Sequence, residues 1–466
     1  MELLWTDQCF LSMLIVGFLL LVNGLRKVPA RRAMRRLLEQ PLALCSGIVL
    51  LFFLIIGALD SLHMKADINV KNPEASVSDI VSVLDNILAP LGQMYEKTYS
   101  APLALTLYST EIASVDGKTV QRHPRLQYPP ETIKNEADKQ AVIWLMVTQA
   151  FCISMLSVLA AGLGIIGVRW VRFYRSKELE DADKTSHLRK QSLLNSGVIW
   201  GLLTVLLCLF CLLASFKLSR SFHLFGTGKI GQDIFYYAVK SIRTGLIIGT
   251  LTTLFMLPIA IILGITSGYF GGIIDDIIQY IYTTLSSIPG VLLITASVLS
   301  MQTFIANHPE QFSTLEKSAD ARLLALCLIL GVTSWTSLCR LLRAEALKFR
   351  EVDFVLAAKA LGSSATYIIR KHLLPNVMSI VLITLVLDFS FLVLAEAVLS
   401  YVGVGVSPMT ISWGNMINGA RLELAREPIV WWPMMAAFVF MFVLVLASNV
   451  FADAVRDVFD PKNSQN

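Results

Sequence analysis

Two acids within an apolar run, a Cys-x-x-Cys pair and a Gly-Lys dipeptide are the places where this sequence could do chemistry. Asp388 and Glu396 stand in or at the edge of a long hydrophobic stretch. An ionisable group in hydrocarbon is costly and faces protein or water, so Asp388 reads either as a polar partner within a helix bundle or as a group on a solute path. Cys208 and Cys211 form a CxxC inside a stretch apolar enough to cross a membrane, where small packing residues are the expected role. The seven cysteines (Cys9, Cys45, Cys152, Cys208, Cys211, Cys327 and Cys339) all lie in or beside apolar blocks, so no extracytoplasmic disulfide is expected. His63 and His123 are isolated, and no metal site is expected. Gly228-Lys229 matches the end of a phosphate-binding loop, but His223 occupies the first-glycine position and Ile230 replaces Ser/Thr. The chain is therefore expected to bind neither ATP nor a cofactor, and not to be an enzyme.

Hydrophobic residues make up 55% and charged residues 16% of the 466, with a mean hydropathy of +0.64. A soluble domain carries about 25% charged residues. The apolar residues gather into blocks of about 17–25, the length of a membrane-crossing helix. Nine such spans are predicted, near 9–25, 41–59, 143–168, 193–215, 240–268, 277–301, 319–340, 379–399 and 431–451. The fold class expected is an all-α, polytopic transmembrane bundle, with the lipid bilayer as its solvent. The net charge is +5, and its clustering calls for the positive-inside rule rather than for nucleic acid, which is not an expected partner. Arg26, Lys27, Arg31, Arg32, Arg35 and Arg36 mark one cytoplasmic segment; Arg169, Arg172, Arg175, Lys177, Lys184, Arg189 and Lys190 mark another; Arg340 to Lys371 is the third. All three agree with nine alternating spans, the N-terminus outside and the C-terminus inside. Glu2 and Asp7 precede the first span and the basic cluster follows it, the reverse of a signal peptide, so a retained helix is expected. Arg243, at the outer start of its span, is expected to snorkel to the interface.

The elements that carry function must include Glu351–Asn376, EVDFVLAAKALGSSATYIIRKHLLPN, which is too polar to span. Ala357, Ala358 and Ala360 favour helix, and their small side chains permit close approach of another protein. Gly362 suits a helix C-terminus, Ser363 or Ser364 can cap a following helix, and Pro375 is expected to end it before the next span. Two short cytoplasmic helices joined by a tight turn are predicted. Such an element can transmit a push between a soluble motor and the membrane. The alternative is an amphipathic helix pair lying on the membrane surface.

This segment resembles the "EAA" loop of importer-type ABC permeases, with Asp353, Ala357, Ala358, Gly362 and the run His372-Leu-Leu-Pro375-Asn376 in register. Other motifs resemble the dipeptide/oligopeptide permease family: Gly268-Tyr-Phe-Gly-Gly272 with Asp275, Glu396-Ala-Val-Leu-Ser400 with Gly403 and Gly405, Ser412-Trp413-Gly414-Asn-Met416, Ala454-Val-Arg-Asp457 and Asp460-Pro461-Lys462. Phe225-Gly226-Thr227-Gly228-Lys-Ile-Gly231-Gln-Asp233 resembles that family's FGTD-x-x-G-R-D motif outside the membrane. The departures are Gly228 for Asp, Gln232 for Arg and Leu356 for the Glu of "EAA", so an ion pair across the first motif and a charge contact with the motor are absent. For Glu396 the resemblance implies a structural role near the outer end of its span.

The resemblance implies a permease subunit of an ATP-driven importer, forming part of a peptide pathway across the bacterial cytoplasmic (inner) membrane. It also implies partners: a second permease chain forming a heterodimer, two cytoplasmic ATPase subunits and a periplasmic solute-binding protein. The domain reading is an N-terminal extra span and basic segment at 1–40, a first family-like span at 41–59, an insertion at 60–224 with a periplasmic segment and two extra spans, and a permease core at 225–466 with its coupling loop at 344–378. An even number of inserted spans keeps the family's orientation. Two rivals remain. A secondary transporter would show repeats and coupling acids, for which Asp388 is the sole weak candidate. A membrane sensor or scaffold would be expected to carry a cytoplasmic signalling domain.

Overall fold

The structure, a computed structural model, describes residues 4–26, 28–65, 80–93, 95–115, 118–130, 133, 135–179, 196–308, 310, 312 and 314–459. Lys184, Arg189 and Lys190 of the second basic segment and the Asp460-Pro461-Lys462 motif lie outside these residues.

Helices dominate. The chain opens with α1 (Trp5–Leu25), α2 (Val28–Glu39) and α3 (Pro41–Ser61). Strands β1 (His63–Lys65) and β2 (Ile80–Ser82) pair antiparallel, followed by the short α4 (Val83–Ile87) and α5 (Ala89–Gln93). A second antiparallel pair, β3 (Glu111–Val115) and β4 (Lys118–Arg122), precedes α6 (Glu136–Leu179) and α7 (Ser196–Leu218). Then come α8 (Ile234–Phe270), α9 (Gly272–Ser287), α10 (Gly290–Asn307) and α11 (Leu315–Arg350). The loop region holds α12 (Asp353–Ala360) and α13 (Ala365–Ile368), and a π-helical turn at Ile369–Leu373 leads into α14 (Leu374–Val402). The last two helices are α15 (Trp413–Glu423) and α16 (Trp432–Phe459).

Among the described residues, nine helical segments are long and apolar enough to cross a membrane: α1, α3, α6, α7, α8, α10, α11, the run from α13 through α14, and α16. The chain is thus an all-α polytopic bundle, and among the described residues its strands form two small antiparallel pairs. Leu20, Leu156, Leu163, Ile262 and Phe391 stand exposed on these helices, the pattern of a surface solvated by lipid.

The sixth span differs from expectation. One helix was expected over 277–301, but α9 ends at Ser287 and α10 begins at Gly290. Pro289 is the cause: it disfavours helical backbone in the residue before it, and Ile288 is extended (φ −84°, ψ 130°). The crossing helix is α10, while α9 is a separate amphipathic helix that buries Asp275, Ile278 and Tyr282 on one face.

The chain divides into two compact units. One comprises Met1–Asn23, Leu54–Asn86 and Tyr237–Asn466, the other Gly24–Phe53 and Ile87–Tyr236. Within the first, a core of Met256, Ala260, Ile265, Ile278, Trp335, Leu338, Leu342, Val355, Ile368 and Val377 joins α8, α9, α11, α12 and α14. Glycines make this close packing feasible: a Cβ on Gly268 would press on Ala346 and the Arg343 carbonyl, and one on Gly331 on Phe255. Within the second unit, α7 lies close to the end of α2 and to α3, Gly197 against the Leu38 and Glu39 carbonyls and Gly201 against Leu44. Its polar part has a small core of Leu105, Ile133 and Phe222.

Candidate functional site

The segment after α11 is a short helix closed by a tight turn. Helix α12 is anchored by Val355, which is fully buried, and by half-buried Ala358, both packed on the core that holds Ile368 and Leu373. Its outer surface is largely apolar: Phe354, Leu356, Ala357 and Ala360 are exposed beside Lys359, and Leu361 is 86% exposed. Asp353, in its first turn, is exposed and suits the positive end of the helix dipole. The helix stops at Gly362, whose φ of +78° is left-handed. The Gly362 N–H donates to the Lys359 carbonyl (3.0 Å) and the Ser363 N–H to the Ala358 carbonyl (3.1 Å), the two bonds of a Schellman end. Ser364 then caps the next helix, accepting from the Tyr367 N–H at 3.4 Å.

The second helix corrects the expectation for Pro375. Proline was expected to end it, yet the helix runs unbroken from Ala365 to Val402. A proline removes one N–H and crowds the preceding turn. The π-helical turn, in which the Leu374 N–H donates to the Ile369 carbonyl, widens that turn. Asn376 adds a side-chain bond to the His372 carbonyl at 2.6 Å. His372 packs its ring near Phe354 of α12, centroids 5.8 Å apart, and so ties the second helix to the first. The element is one short helix hinged on the extended end of a crossing helix.

Beside it lies a buried charge pair that the motif reading named on one side only. Arg343 of α11 donates twice to Asp275 of α9, both bonds at 2.6 Å. Ser267 donates to the same carboxylate, as does Gln279 at 2.9 Å. The Arg343 guanidinium, helped by Ser267 and Gln279 and opposed by burial, holds the Asp275 carboxyl down at about 2. The pair clamps α9 to α11 where Gly271 and Gly272 turn the chain with left-handed φ of +65° and +56°. The basic residues of 340–350 were read for topology alone, so Arg343 was missed.

The Phe225–Asp233 segment is held in the opposite manner, by burial and charge. Gly226 and Gly231 adopt φ of +69° and +77°, and a Cβ on either would overlap backbone, of Ser100 and of Glu96 respectively. Thr227 Oγ1 donates to the Thr98 carbonyl (2.8 Å) and accepts from the Ser100 N–H (2.7 Å). Asp233 caps α8 through the Tyr236 N–H (2.9 Å) and holds His223 Nδ1 at 2.6 Å. Glu96 lies 3.8 Å from His223 Nε2, an ionic contact, and accepts the N–H groups of Gln127 (2.8 Å) and Tyr128 (2.9 Å). Burial alone would lower the His223 pKa, but Asp233 and Glu96 outweigh it and hold it up at about 9. Burial opposes the lowering of Glu96, which His223 and the two N–H groups bring about. Tyr128, whose ring lies tilted against that of His223 at 4.7 Å, is pushed up to about 12 by burial and by Asp233. The two departures fit one another: the Gln232 side chain folds over Gly228, where a Cβ would collide with it, and accepts from the Ile230 N–H at 3.0 Å. His223 had been noted only as a missing glycine, and neither it nor Glu96 had a motif to announce it.

Glu396, Trp413 and Gly414 meet in a third cluster. Buried Glu396 accepts from Ser400 (2.7 Å) and Ser412 (3.0 Å) and from the Gly414 backbone N–H. Ser412 also caps α15 through Asn415. A Cβ on Gly414 would fall 2.6 Å from Ser400 Cβ, and Trp413 Nε1 donates to the Ala238 carbonyl (3.0 Å) with its ring on Gly245. Through these contacts Glu396 joins α14 to the start of α15. Asp388 is apart from this cluster; its Oδ2 is buried with no hydrogen-bond partner among the described residues.

Arg243 is a correction. It was expected to snorkel, but it donates to Asp7 of α1 at 2.8 and 2.6 Å. Asp7 is fully buried and also lies 3.0 Å from His63, while the Thr6 N–H donates to Asp320 at 3.2 Å. A carboxylate inside the bundle satisfies the guanidinium better than a distant interface. Among the described residues, no group of three His, Cys, Asp or Glu side chains is arranged to hold a metal, and all seven cysteines are free.

This helical bundle, with its loop and its glycine-built motifs, is the fold of a membrane permease. Residues 260–465 match the family described as "Binding-protein-dependent transport system inner membrane component". The chain is 32% identical over 244 residues to the dipeptide transport system permease protein DppC of Lactococcus lactis subsp. cremoris, covering 52% of this chain and 65% of that protein. It is 29% identical over 240 residues to DppC and to the oligopeptide transport system permease protein OppC, both of Bacillus subtilis, covering 69% and 72% of those proteins. The match thus spans about two thirds of these relatives' length. The dipeptide/oligopeptide permease family expected from the motifs is the one the comparisons return, and the chain is a multi-pass inner-membrane protein.

Proposed function

We propose that this chain is the transmembrane permease subunit of an ATP-driven importer and forms part of a peptide pathway across the cytoplasmic membrane. The observation that carries this is the surface of α12. A helix whose buried side is fixed by Val355 and Ala358, and whose free side offers Ala357, Ala360 and Leu361, is built for another protein to sit on. It rides on the end of a membrane-crossing helix, so a push on it moves a crossing helix. ATP hydrolysis then belongs to two cytoplasmic ATPase subunits and not to this chain. A second permease chain completes the pathway, and a periplasmic binding protein delivers the solute. The relatives' names, dipeptide and oligopeptide transport permeases, support peptides as that solute. Residues 353–376 lie on the cytoplasmic side in this reading, and 225–233 outside.

The test uses the free side of α12, not Ala358, which contributes to the chain's own core. Ala357→Glu and Leu361→Glu place a charge in the proposed contact without touching the core. Breaking an interface centre costs on the order of 2 kcal/mol or more, at least about tenfold in affinity. ATPase subunits that co-purify with the parent should be lost from both variants while membrane insertion stays normal. Undiminished recovery would return α12 to the role of a surface helix.

A further inference from the structure

Helix α2 is 12 residues long and connects two crossing helices, α1 and α3. At 1.5 Å per residue it measures about 18 Å, too short for a hydrocarbon core of about 30 Å. Its chemistry is divided by face. Met34, Leu37 and Leu38 recur at i, i+3 and i+4 and make one apolar stripe. Arg31, Arg35 and Arg36 fall outside that stripe and are exposed. Glu39 bonds to Arg35 at 3.1 Å, which still leaves the polar side with a positive excess.

The far end of α2 is fixed to crossing helices. The Gln40 N–H donates to the Arg36 carbonyl (3.2 Å) and the Leu44 N–H to the Gln40 carbonyl (3.1 Å), so α2 passes directly into α3. Gly197, at the start of α7, lies against the Leu38 and Glu39 carbonyls. Large apolar side chains stand exposed on these adjoining ends: Leu38 at 54%, Leu42 at 70% and Trp200, one turn into α7, at 52%. A soluble protein seated on the arginines would leave these side chains in water, whereas a bilayer covers them. Tryptophan near the end of a crossing helix marks the boundary between acyl chains and headgroups. A short basic helix with an apolar stripe at that level suits the same boundary, and guanidinium groups match phosphate oxygens.

We propose that α2 lies in the membrane surface, its apolar stripe on acyl chains and Arg31, Arg35 and Arg36 on the headgroups of anionic phospholipid. The test places the full chain in nanodiscs of phosphatidylcholine, with and without phosphatidylglycerol, and reads backbone amide exchange over residues 31–39. One basic residue near an anionic surface corresponds to about fivefold in affinity, and three to about a hundredfold. In the parent, phosphatidylglycerol should slow these amides by at least about tenfold and leave those of α16 unchanged. High salt should close the gap, because it screens exposed charges. The triple variant Arg31→Gln, Arg35→Gln, Arg36→Gln should lose the gap and exchange like the parent in phosphatidylcholine. The corresponding lysine variant should keep most of it.

Parent amides that exchange alike in both lipids overturn the proposal and leave α2 to a protein partner with an acidic surface. A gap that survives in the glutamine variant or in high salt overturns it too, since the arginines then do not carry it. Inorganic phosphate added to phosphatidylcholine discs should have no effect; slowing equal to that of the lipid would make this a free-phosphate site instead. If the triple variant does not insert, Arg31→Gln and Arg36→Gln decide singly. Each should narrow the gap by about fivefold, and no narrowing in either removes the headgroup site.

Discussion

Two glycine-marked segments, 353–364 and 225–233, are built on opposite principles. The first is open: among the described residues nothing lies within 4 Å of a Cβ on Gly362 and no ion pair holds the turn, and Leu361 is almost fully exposed. The second is closed: Gly226 and Gly231 face backbone, Gly228 faces the Gln232 side chain, and a buried histidine lies between two carboxylates. Both segments need left-handed glycine. In one it shapes a surface for a partner, and in the other it lets the chain fit against itself. A glycine motif alone does not say which.

Substitution separates the two cases, and the largest effect is expected at Gly231. An alanine there must take φ near +77° and push the Glu96 backbone aside. That should cost several kcal/mol, seen as protease sensitivity of residues 95–133. Little change would mean that the segment is looser than its contacts imply.

Charge locking can be tested next on α1, where Asp7→Ala leaves Arg243 buried without its acceptor. Removing one partner of a buried pair costs about 3–5 kcal/mol. A fall in thermal stability of that order is expected, and α1 should become accessible to protease. An unchanged melting profile would show α1 to be dispensable to its unit.

The closed segment should also answer to pH. The folded pKa of His223, about 9, lies above its ordinary 6.5. Its contribution is therefore complete below pH 6.5, and is lost as pH rises through 9. That contribution is on the order of 3 kcal/mol, and the alkaline loss should be absent in His223→Gln. Identical pH profiles for the two proteins would remove the histidine from the lock.

The smallest effect is expected at Gly362. With space around it, Gly362→Ala meets only the left-handed backbone cost, about 1 kcal/mol. The fold should survive, with a modest loss of coupling to ATP hydrolysis. Collapse of the protein would mean that the open segment is less independent than described.

The crossing helices and the short helix with its glycine turn at 353–362 were legible because both are local signals: hydropathy over about 20 residues, and small residues followed by glycine. The break at Pro289 was legible in principle, but apolar residues on both sides hid it within one hydrophobic run. Pro375 misled because proline stops helices in general, and only the widened turn with the Asn376 side-chain bond lets this helix continue. The charge pairs were out of reach. Asp7 and Arg243 are 236 positions apart, and Glu96 and His223 come from segments whose folds no periodicity reveals. Pairing at such distances is decided by packing.

The central claim is that ATP hydrolysis by partner subunits moves a solute past this chain. The direct measurement is uptake of a labelled peptide into proteoliposomes containing the chain, its second permease, the ATPase subunits and the binding protein. Uptake should require ATP on the ATPase side, proceed without an ion gradient, and fall at least about tenfold in Leu361→Glu. Uptake that follows an imposed ion gradient, persists without the ATPase subunits and ignores Leu361→Glu would contradict the account and make the chain a secondary transporter.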